Sequence, residues 1–144
     1  MSVYKENKHA YSVGWNVWHL QWYTKYRYNV FKKSYLKNIC VIAIEEGAKR
    51  HNIDVIDKEV DIDHVHVVAS LPMTMVAPRS LQLLKGFSSR LIFKLVPNLR
   101  KMYPKRHLWS PDKFAVSIGH ITVDKAKACL EAHHAKALKG ISAL

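Results

Sequence analysis

Apolar positions recur along this chain with two different periods, which predict strands in some segments and helices in others. Alternation and β-branched or aromatic residues predict strands at residues 11–24, 53–60, 64–72 and 114–121. Spacings of three and four residues predict helices from Ser34 to about Asn52, from Pro78 to Pro97, and from Asp124 to about Leu138. Ser34 is expected to cap the first helix, and Pro78 to open the second.

The predicted order, β-α-β-β-α-β-α, is typical of the α+β class. It fits a ferredoxin-like (split βαβ) antiparallel sheet with helices on one face and one extra C-terminal helix. At 144 residues the chain is expected to form one domain, residues 1–144, with a flexible start over residues 1–9. The last helix, 124–138, has only a narrow apolar stripe, so we expect it to pack on a second subunit.

Positive charge dominates the composition, because 23 lysines and arginines against 11 acidic residues give a net charge of +12. Such an excess on one small domain favours a polyanionic partner, with nucleic acid as the first candidate. No stretch approaches the roughly 20 apolar residues of a membrane span, and residues 1–9 are too polar for a signal peptide. The two cysteines, Cys40 and Cys129, each fall within a helical pattern. We expect them to be reduced thiols of a cytoplasmic protein and not a disulfide framework.

Two histidines alternate with a valine in the third predicted strand. His64 and His66 should project from one face of that strand, about 7 Å apart along the chain. Two imidazoles on a rigid strand form half of a divalent-metal site, and the carboxylates of Glu59, Asp61 and Asp63 are near in sequence. The alternative is a pair of surface histidines on a half-exposed strand.

A second group of residues has the composition of a nucleic-acid surface. Lys25, Tyr26 and Arg27 place cations that can neutralise phosphates beside a ring that can stack on a base. Lys85 and Arg90 lie on the polar side of the second predicted helix and are candidates for backbone contacts. The alternative for residues 25–28 is the end of an edge strand with its basic side chains extended into solvent.

Five segments follow one another along the chain: His19-Leu20-x-Trp22-x-Thr24-Lys25-Tyr26-Arg27, Asp63-His64-Val65-His66, Lys85-Gly86-Phe87-Ser88-Ser89-Arg90, Leu108-Trp109-Ser110 and Gly119-x-Ile121-Thr122. Taken together, they resemble the single-tyrosine HUH transposases of the small insertion-sequence (IS200-like) family, where HUH denotes histidine, a bulky apolar residue and histidine. The resemblance implies a transposase that acts on single-stranded or hairpin DNA in the cytoplasm, at the nucleoid when bound. It also implies a homodimer with exchanged C-terminal helices and active sites shared between subunits.

The resemblance further implies a Mg²⁺ or Mn²⁺ ion bound by His64 and His66. In the family the metal shell is completed by an upstream acidic residue, which corresponds to Glu59, or by a residue one turn after the nucleophile, which corresponds to His133. His19 and Asp63 match positions that orient the ligands. The reaction implied is strand cleavage and rejoining through a covalent 5′-phosphoprotein intermediate with a free 3′-OH.

One position departs from the family pattern. The nucleophilic tyrosine is expected seven residues after Thr122, where this chain has Cys129, and the last tyrosine in the sequence is Tyr103. A thiol reaches less far than a phenol, and errors of about 1 Å can lower a rate about 10²-fold. Four functions stay open: a transposase disabled by Cys129, a non-catalytic DNA-binding protein, a metal-dependent nuclease in which water attacks, and a ferredoxin-like RNA-binding domain.

Overall fold

A computed structural model describes residues 16–112, 114–118 and 131, and six regular elements follow one another in this part of the chain. They are strand β1 (Val17–Tyr23), helix α1 (Ser34–Arg50), strands β2 (Asp54–Val60) and β3 (His64–Ser70), helix α2 (Ala77–Leu95) and strand β4 (Phe114–Ser117). The helix predicted over 124–138 lies outside the described residues apart from Glu131. The predictions for Cys129 and His133 therefore also lie outside them.

All neighbouring strands pair antiparallel in one four-stranded sheet of order β2-β3-β1-β4. This is the order that a split βαβ unit produces, because the two helical connections place the first and third strands side by side at the centre. The predicted α+β, ferredoxin-like sheet is confirmed. The expected exchange of the C-terminal helix between two subunits stays a prediction.

One face of the sheet forms the hydrophobic core with both helices. Leu20 and Trp22 of β1, with Val65 and Val67 of β3, are fully buried in this cluster. Strand alternation sends these residues to the same side, where each large apolar side chain contributes roughly 1.5–3 kcal/mol. We call this side the helix face.

Helix α1 buries the stripe that its spacing predicts: Leu36, Cys40, Ala43, Ile44 and Ala48. The predicted N-cap is wrong, because Ser34 is the first helical residue and Lys33 precedes it, without a side-chain hydrogen bond at the cap. At the other end, His51 Nδ1 donates to the carbonyl of Gly47 at 2.8 Å. In α2, Pro78 lies in the first turn as predicted, where a backbone N–H would have no partner within the helix.

A short connection with unusual backbone geometry follows β1. Residues Lys25–Arg27 form a 3-10 turn in which Tyr26 has φ 63° and Arg27 has φ 54°. Two consecutive left-handed residues cost roughly 1–2 kcal/mol each. The turn is held by Lys25 N–H, which donates to the carbonyl of Leu108 at 2.8 Å, and by Thr24 N–H, which donates to that of Asp63 at 2.8 Å.

Strands β2 and β3 and the two helices agree with their predicted bounds to within a few residues. Strand β1 begins at Val17 and β4 ends at Ser117, and the predicted extensions over 11–15 and 119–121 lie outside the described residues. None of the described helices combines the length and apolar character needed to cross a membrane.

Candidate active site

The opposite side of the sheet carries polar side chains at its centre. His19, Gln21 and Tyr23 of β1 lie there with His64 and His66 of β3, and we call this side the histidine face. In the strand register Tyr23 is opposite His64 and Gln21 is opposite His66. Residues directly opposite in an antiparallel pair point to the same side, with Cβ atoms about 4.5–5.5 Å apart.

The two histidines of β3 point their Nε2 atoms at each other. His64 Nε2 lies 3.1 Å from His66 Nε2. Each ring uses its other nitrogen elsewhere: His64 Nδ1 lies 2.7 Å from Asp63 Oδ1, and His66 Nδ1 lies 3.1 Å from His19 Nε2. A carboxylate accepts from Nδ1–H of His64, so the lone pair of this ring is on Nε2.

Asp61 adds a carboxylate to this pair. Its Oδ2 lies 3.4 Å from His64 Nε2, and one donor atom each of Asp61, His64 and His66 fall within 4.8 Å of one another. The tight turn before β3 places it there, since Asp61 N–H donates to the carbonyl of His64 at 2.8 Å. Glu59 lies opposite His66 in the register but is not part of this group.

The donor spacing fits a divalent cation. Two donor atoms about 2.1 Å from an ion in neighbouring octahedral positions lie about 3 Å apart. The separations observed, 3.1 Å between the Nε2 atoms and 3.4 Å to Asp61, are of that size. Two facing nitrogen lone pairs repel each other unless a cation or a shared proton lies between them. The three side chains could therefore hold a metal ion.

Arg27 connects the turn after β1 to the histidines. Its guanidinium lies 3.5 Å from Asp63 Oδ2 and 3.8 Å from the centre of the Tyr23 ring. The Tyr23 ring lies 5.3 Å from that of His64, and its hydroxyl accepts a hydrogen bond from Gln21 Nε2. Asp63 thus bridges the guanidinium of Arg27 and the imidazole of His64, which restrains the orientation of His64.

Four of the sequence segments that carried the resemblance meet at this end of the sheet, and the fifth, Gly119-x-Ile121-Thr122, lies outside the described residues. Thr24 Oγ1 lies 3.2 Å from the carbonyl of Asp63, and Thr24 pairs with Trp109 in an isolated bridge. Trp109 Nε1 in turn donates to Ser88 Oγ at 3.0 Å. Lys85 Nζ donates to the carbonyl of Ser110 at 2.7 Å, which ties α2 to the same region.

The five residues predicted to bind DNA divide into two groups. Lys25, Tyr26 and Arg27 form the turn after β1, where Arg27 contacts Asp63 and Tyr23, and Lys85 Nζ donates to the carbonyl of Ser110. Arg90 lines a separate cavity of about 620 Å³, together with Arg50, His51, Phe87, Leu91 and Lys94. The structure therefore joins Arg27 to the residues around His64 and leaves Arg90 on a basic surface between the helices.

Three tyrosines cluster beyond the turn. The ring of Tyr26 is 62% exposed and lies parallel to that of Tyr103, with centres 6.3 Å apart, and Tyr28 packs against both. Burial raises the pKa of Tyr103 to about 12, and its hydroxyl donates to the carbonyl of Lys25 at 2.9 Å. Burial likewise raises the pKa of the Cys40 thiol, which packs in the core.

Sequence reasoning did not assign two residues that the structure places in the site. Asp61 was noted only as a nearby carboxylate, although its position three residues before His64 across a turn is a usable signal. Tyr23 was not considered at all. Its alternation with Gln21 and His19 along β1 does place it on the histidine face.

The family model described as Transposase IS200 like matches residues 14–133. This chain belongs to the IS200-like transposase family. The resemblance inferred from the sequence segments is thereby confirmed at the level of the family. A curated relative, the ISDra2 transposase TnpA of Deinococcus radiodurans, is 29% identical over 119 residues, which cover 83% of this chain and 84% of the relative.

Two solved structures resemble the IS200-like fold described above. A candidate transposase from Deinococcus radiodurans superposes with a TM-score of 0.64 at 25% identity, covering 81% of this chain and 88% of the other. A tyrosine transposase associated with REP sequences, bound to a REP hairpin, has a TM-score of 0.53 at 14% identity and covers 82% of this chain and 64% of its own. The second likeness shows the fold alone.

Proposed function

We propose that this chain is a transposase that cleaves and rejoins single-stranded DNA at the histidine face. The observation that carries the proposal is the convergence of His64 Nε2 and His66 Nε2 at 3.1 Å, with Asp61 beside them, in a member of the IS200-like family. These residues would hold a Mg²⁺ or Mn²⁺ ion, which would polarise a non-bridging oxygen of the scissile phosphate.

Each neighbour of the two imidazoles has a defined part in this proposal. Asp63 contacts Nδ1 of His64 and His19 contacts Nδ1 of His66, which orients the Nε2 atoms of both rings toward the proposed ion. Asp61 is the carboxylate that we assign to the ion from its 3.4 Å approach to His64. Glu59, opposite His66, and His133 are the alternatives for completing the shell.

The substrate follows from charge and from the aromatic side chains. The chain carries a net charge of +12, and Arg27, in the turn that also contains Lys25 and Tyr26, contacts Asp63 and Tyr23 beside the histidines. Cations neutralise phosphates while an exposed ring stacks on an unpaired base, which suits single-stranded DNA. The structural neighbour bound to a REP hairpin supports a hairpin as the form of that substrate. We further propose a homodimer whose active sites are shared between subunits.

The nucleophile is where this chain differs from the family pattern. Cys129 occupies the position of the tyrosine, and a thiol there is too short for the geometry that a phenol would fill. On that account the chain would bind and position DNA without cleaving it from that helix. The same observation supports a second candidate, a DNA-binding protein derived from a transposase that has lost strand cleavage.

A covalent trapping assay tests the proposal. The protein and a Cys129→Tyr variant are incubated with Mn²⁺ and labelled single strands that contain a hairpin, and products are separated under denaturing conditions. We expect a protein–DNA adduct from the Cys129→Tyr variant, because the substitution restores the tyrosine of the family pattern. The His64→Ala, His66→Ala double variant in that background is the matched control and should give none.

The other outcomes identify the other functions. Strand cuts without an adduct in either protein would indicate a hydrolytic nuclease and contradict the transposase. Binding without cuts in both would indicate the non-catalytic DNA-binding protein.

A further inference from the structure

The histidine face contains a tyrosine that the family pattern does not assign. We propose that the Tyr23 hydroxyl is a nucleophile for strand cleavage in this chain, which has Cys129 where the family has its tyrosine. This inference rests on the proposed function, because it requires DNA to be bound at the same histidines.

The strand register brings Tyr23 beside His64. Tyr23 is directly opposite His64, and the two rings are 5.3 Å apart. Its hydroxyl meets Gln21, which is opposite His66. The Tyr23 side chain therefore lies along the histidine face. Its ring is beside the imidazole of His64, and its hydroxyl contacts Gln21, the residue opposite His66.

Two contacts restrain this side chain in place. The guanidinium of Arg27 lies 3.8 Å from the ring centre, a distance that supports a cation–π contact. Gln21 Nε2 donates to the hydroxyl oxygen, so the proton of that hydroxyl stays available for transfer. Restraint of a nucleophile before substrate binds is a large part of what orientation contributes to a rate.

The other described tyrosines do not meet these conditions. Among the described residues Tyr23 is the one tyrosine in a strand. Tyr103 is buried with its hydroxyl donated to the carbonyl of Lys25, and Tyr26 and Tyr28 pack against it. Tyr35 lies exposed on α1.

The proposed step balances without a further reagent. The Tyr23 oxygen forms a bond to phosphorus while the bond from phosphorus to the 3′ oxygen breaks. The phenolic proton leaves to solvent, and the departing 3′ oxygen takes up one proton. The products are a 5′-phosphotyrosine and a free 3′-OH, and the reverse attack rejoins the strand.

Four proteins and one mapping measurement test the inference: the unaltered chain, Tyr23→Phe, Tyr35→Phe and Cys129→Tyr. Each is trapped with Mn²⁺ and labelled hairpin single strands, and the adduct is digested and sequenced by mass spectrometry. We expect an adduct from the unaltered chain on the peptide that contains Tyr23. Tyr23→Phe should lower its yield by at least about 100-fold, since removing a nucleophile usually costs at least that much. Tyr35→Phe, which alters an exposed tyrosine on α1, should leave it unchanged.

Each result decides the inference and separates it from the proposed function. An adduct that maps to Cys129 or to another tyrosine overturns the assignment of Tyr23, and so does an adduct that survives Tyr23→Phe. An adduct from Cys129→Tyr alone also overturns it but leaves the transposase in place. No adduct from any protein contradicts both. Thermal unfolding of Tyr23→Phe, followed by circular dichroism, shows whether a loss reflects chemistry or a damaged fold.

Discussion

The helix face and the histidine face of the sheet are made from alternate residues of the same strands, yet they obey different physical rules. On β3, Val65 and Val67 are fully buried among helix residues, while His64 and His66 are held by Asp63 and His19. One side is stabilised by removal of apolar area from water, the other by directed hydrogen bonds. A shift of one residue in register would exchange the two sides.

The comparison separates stability from function along a single strand. Substitutions on the helix face should lower the free energy of unfolding with little specific effect on the ion. Substitutions on the histidine face should abolish ion or DNA chemistry with little effect on unfolding. The following predictions test that separation.

The largest effect is expected at Trp22 on the helix face. Its side chain is fully buried, so Trp22→Ala should lower the free energy of unfolding by about 3–5 kcal/mol. Urea unfolding followed by far-UV circular dichroism measures this. Trp22→Phe is the control: Trp22 Nε1 has no hydrogen-bond partner among the described residues, so this change should cost less than half as much. Equal losses would show that the indole N–H matters more than volume.

The next largest effect is expected at His66, on the histidine face of β3. His66→Ala should lower Mn²⁺ affinity at least about 100-fold, because the ion would lose one of its two imidazoles. Isothermal titration calorimetry measures the affinity. The free energy of unfolding, measured as above without metal, should change by about 1 kcal/mol or less, since the residue is only half-buried. A loss as large as that of Trp22→Ala would contradict the division between the faces.

A smaller effect is expected at the carboxylate that orients His64. Asp63→Asn keeps the shape but no longer offers a charged acceptor to His64 Nδ1 and Arg27. Such changes typically lower metal affinity 10–100-fold. Asp61→Asn should lower it further if Asp61 is a direct ligand, and Glu59→Gln should then have the smaller effect. The reverse order of Asp61 and Glu59 in the same titrations would assign the carboxylate ligand to Glu59.

The smallest effects are expected from two glycines in the helices behind the core. A Cβ at Gly47 would lie 2.9 Å from Phe87 Cδ1, and a Cβ at Gly86 would meet nothing within 4 Å. Gly86→Ala should therefore stabilise the fold by about 0.5–1 kcal/mol through helix propensity. Gly47→Ala should destabilise it by about 1 kcal/mol, because overpacking outweighs that gain. Opposite signs in urea unfolding are the expected result, and gains in both would show that Phe87 moves aside.

Most of the fold could be predicted because its signals are local. Period-two alternation placed Leu20 and Trp22 on one side of β1 and His19 and Gln21 on the other, as observed. Capping was predicted less well: Ser34 had the right residue type but lies one position inside the helix. Half of the candidate site followed from the same alternation, which put His64 and His66 on one face.

The sequence alone determined the order of strands and helices, the side to which each strand residue points and the family, because these depend on neighbours along the chain. Tertiary structure decided that Asp61 joins the histidines, that Arg90 lies apart from Lys25–Arg27 and that the Tyr23 ring lies beside His64. Those outcomes depend on strand pairing between residues more than 40 positions apart and on the turn before β3. Which side chains become neighbours across two paired strands is decided only when the sheet has formed, so no local sequence pattern encodes it.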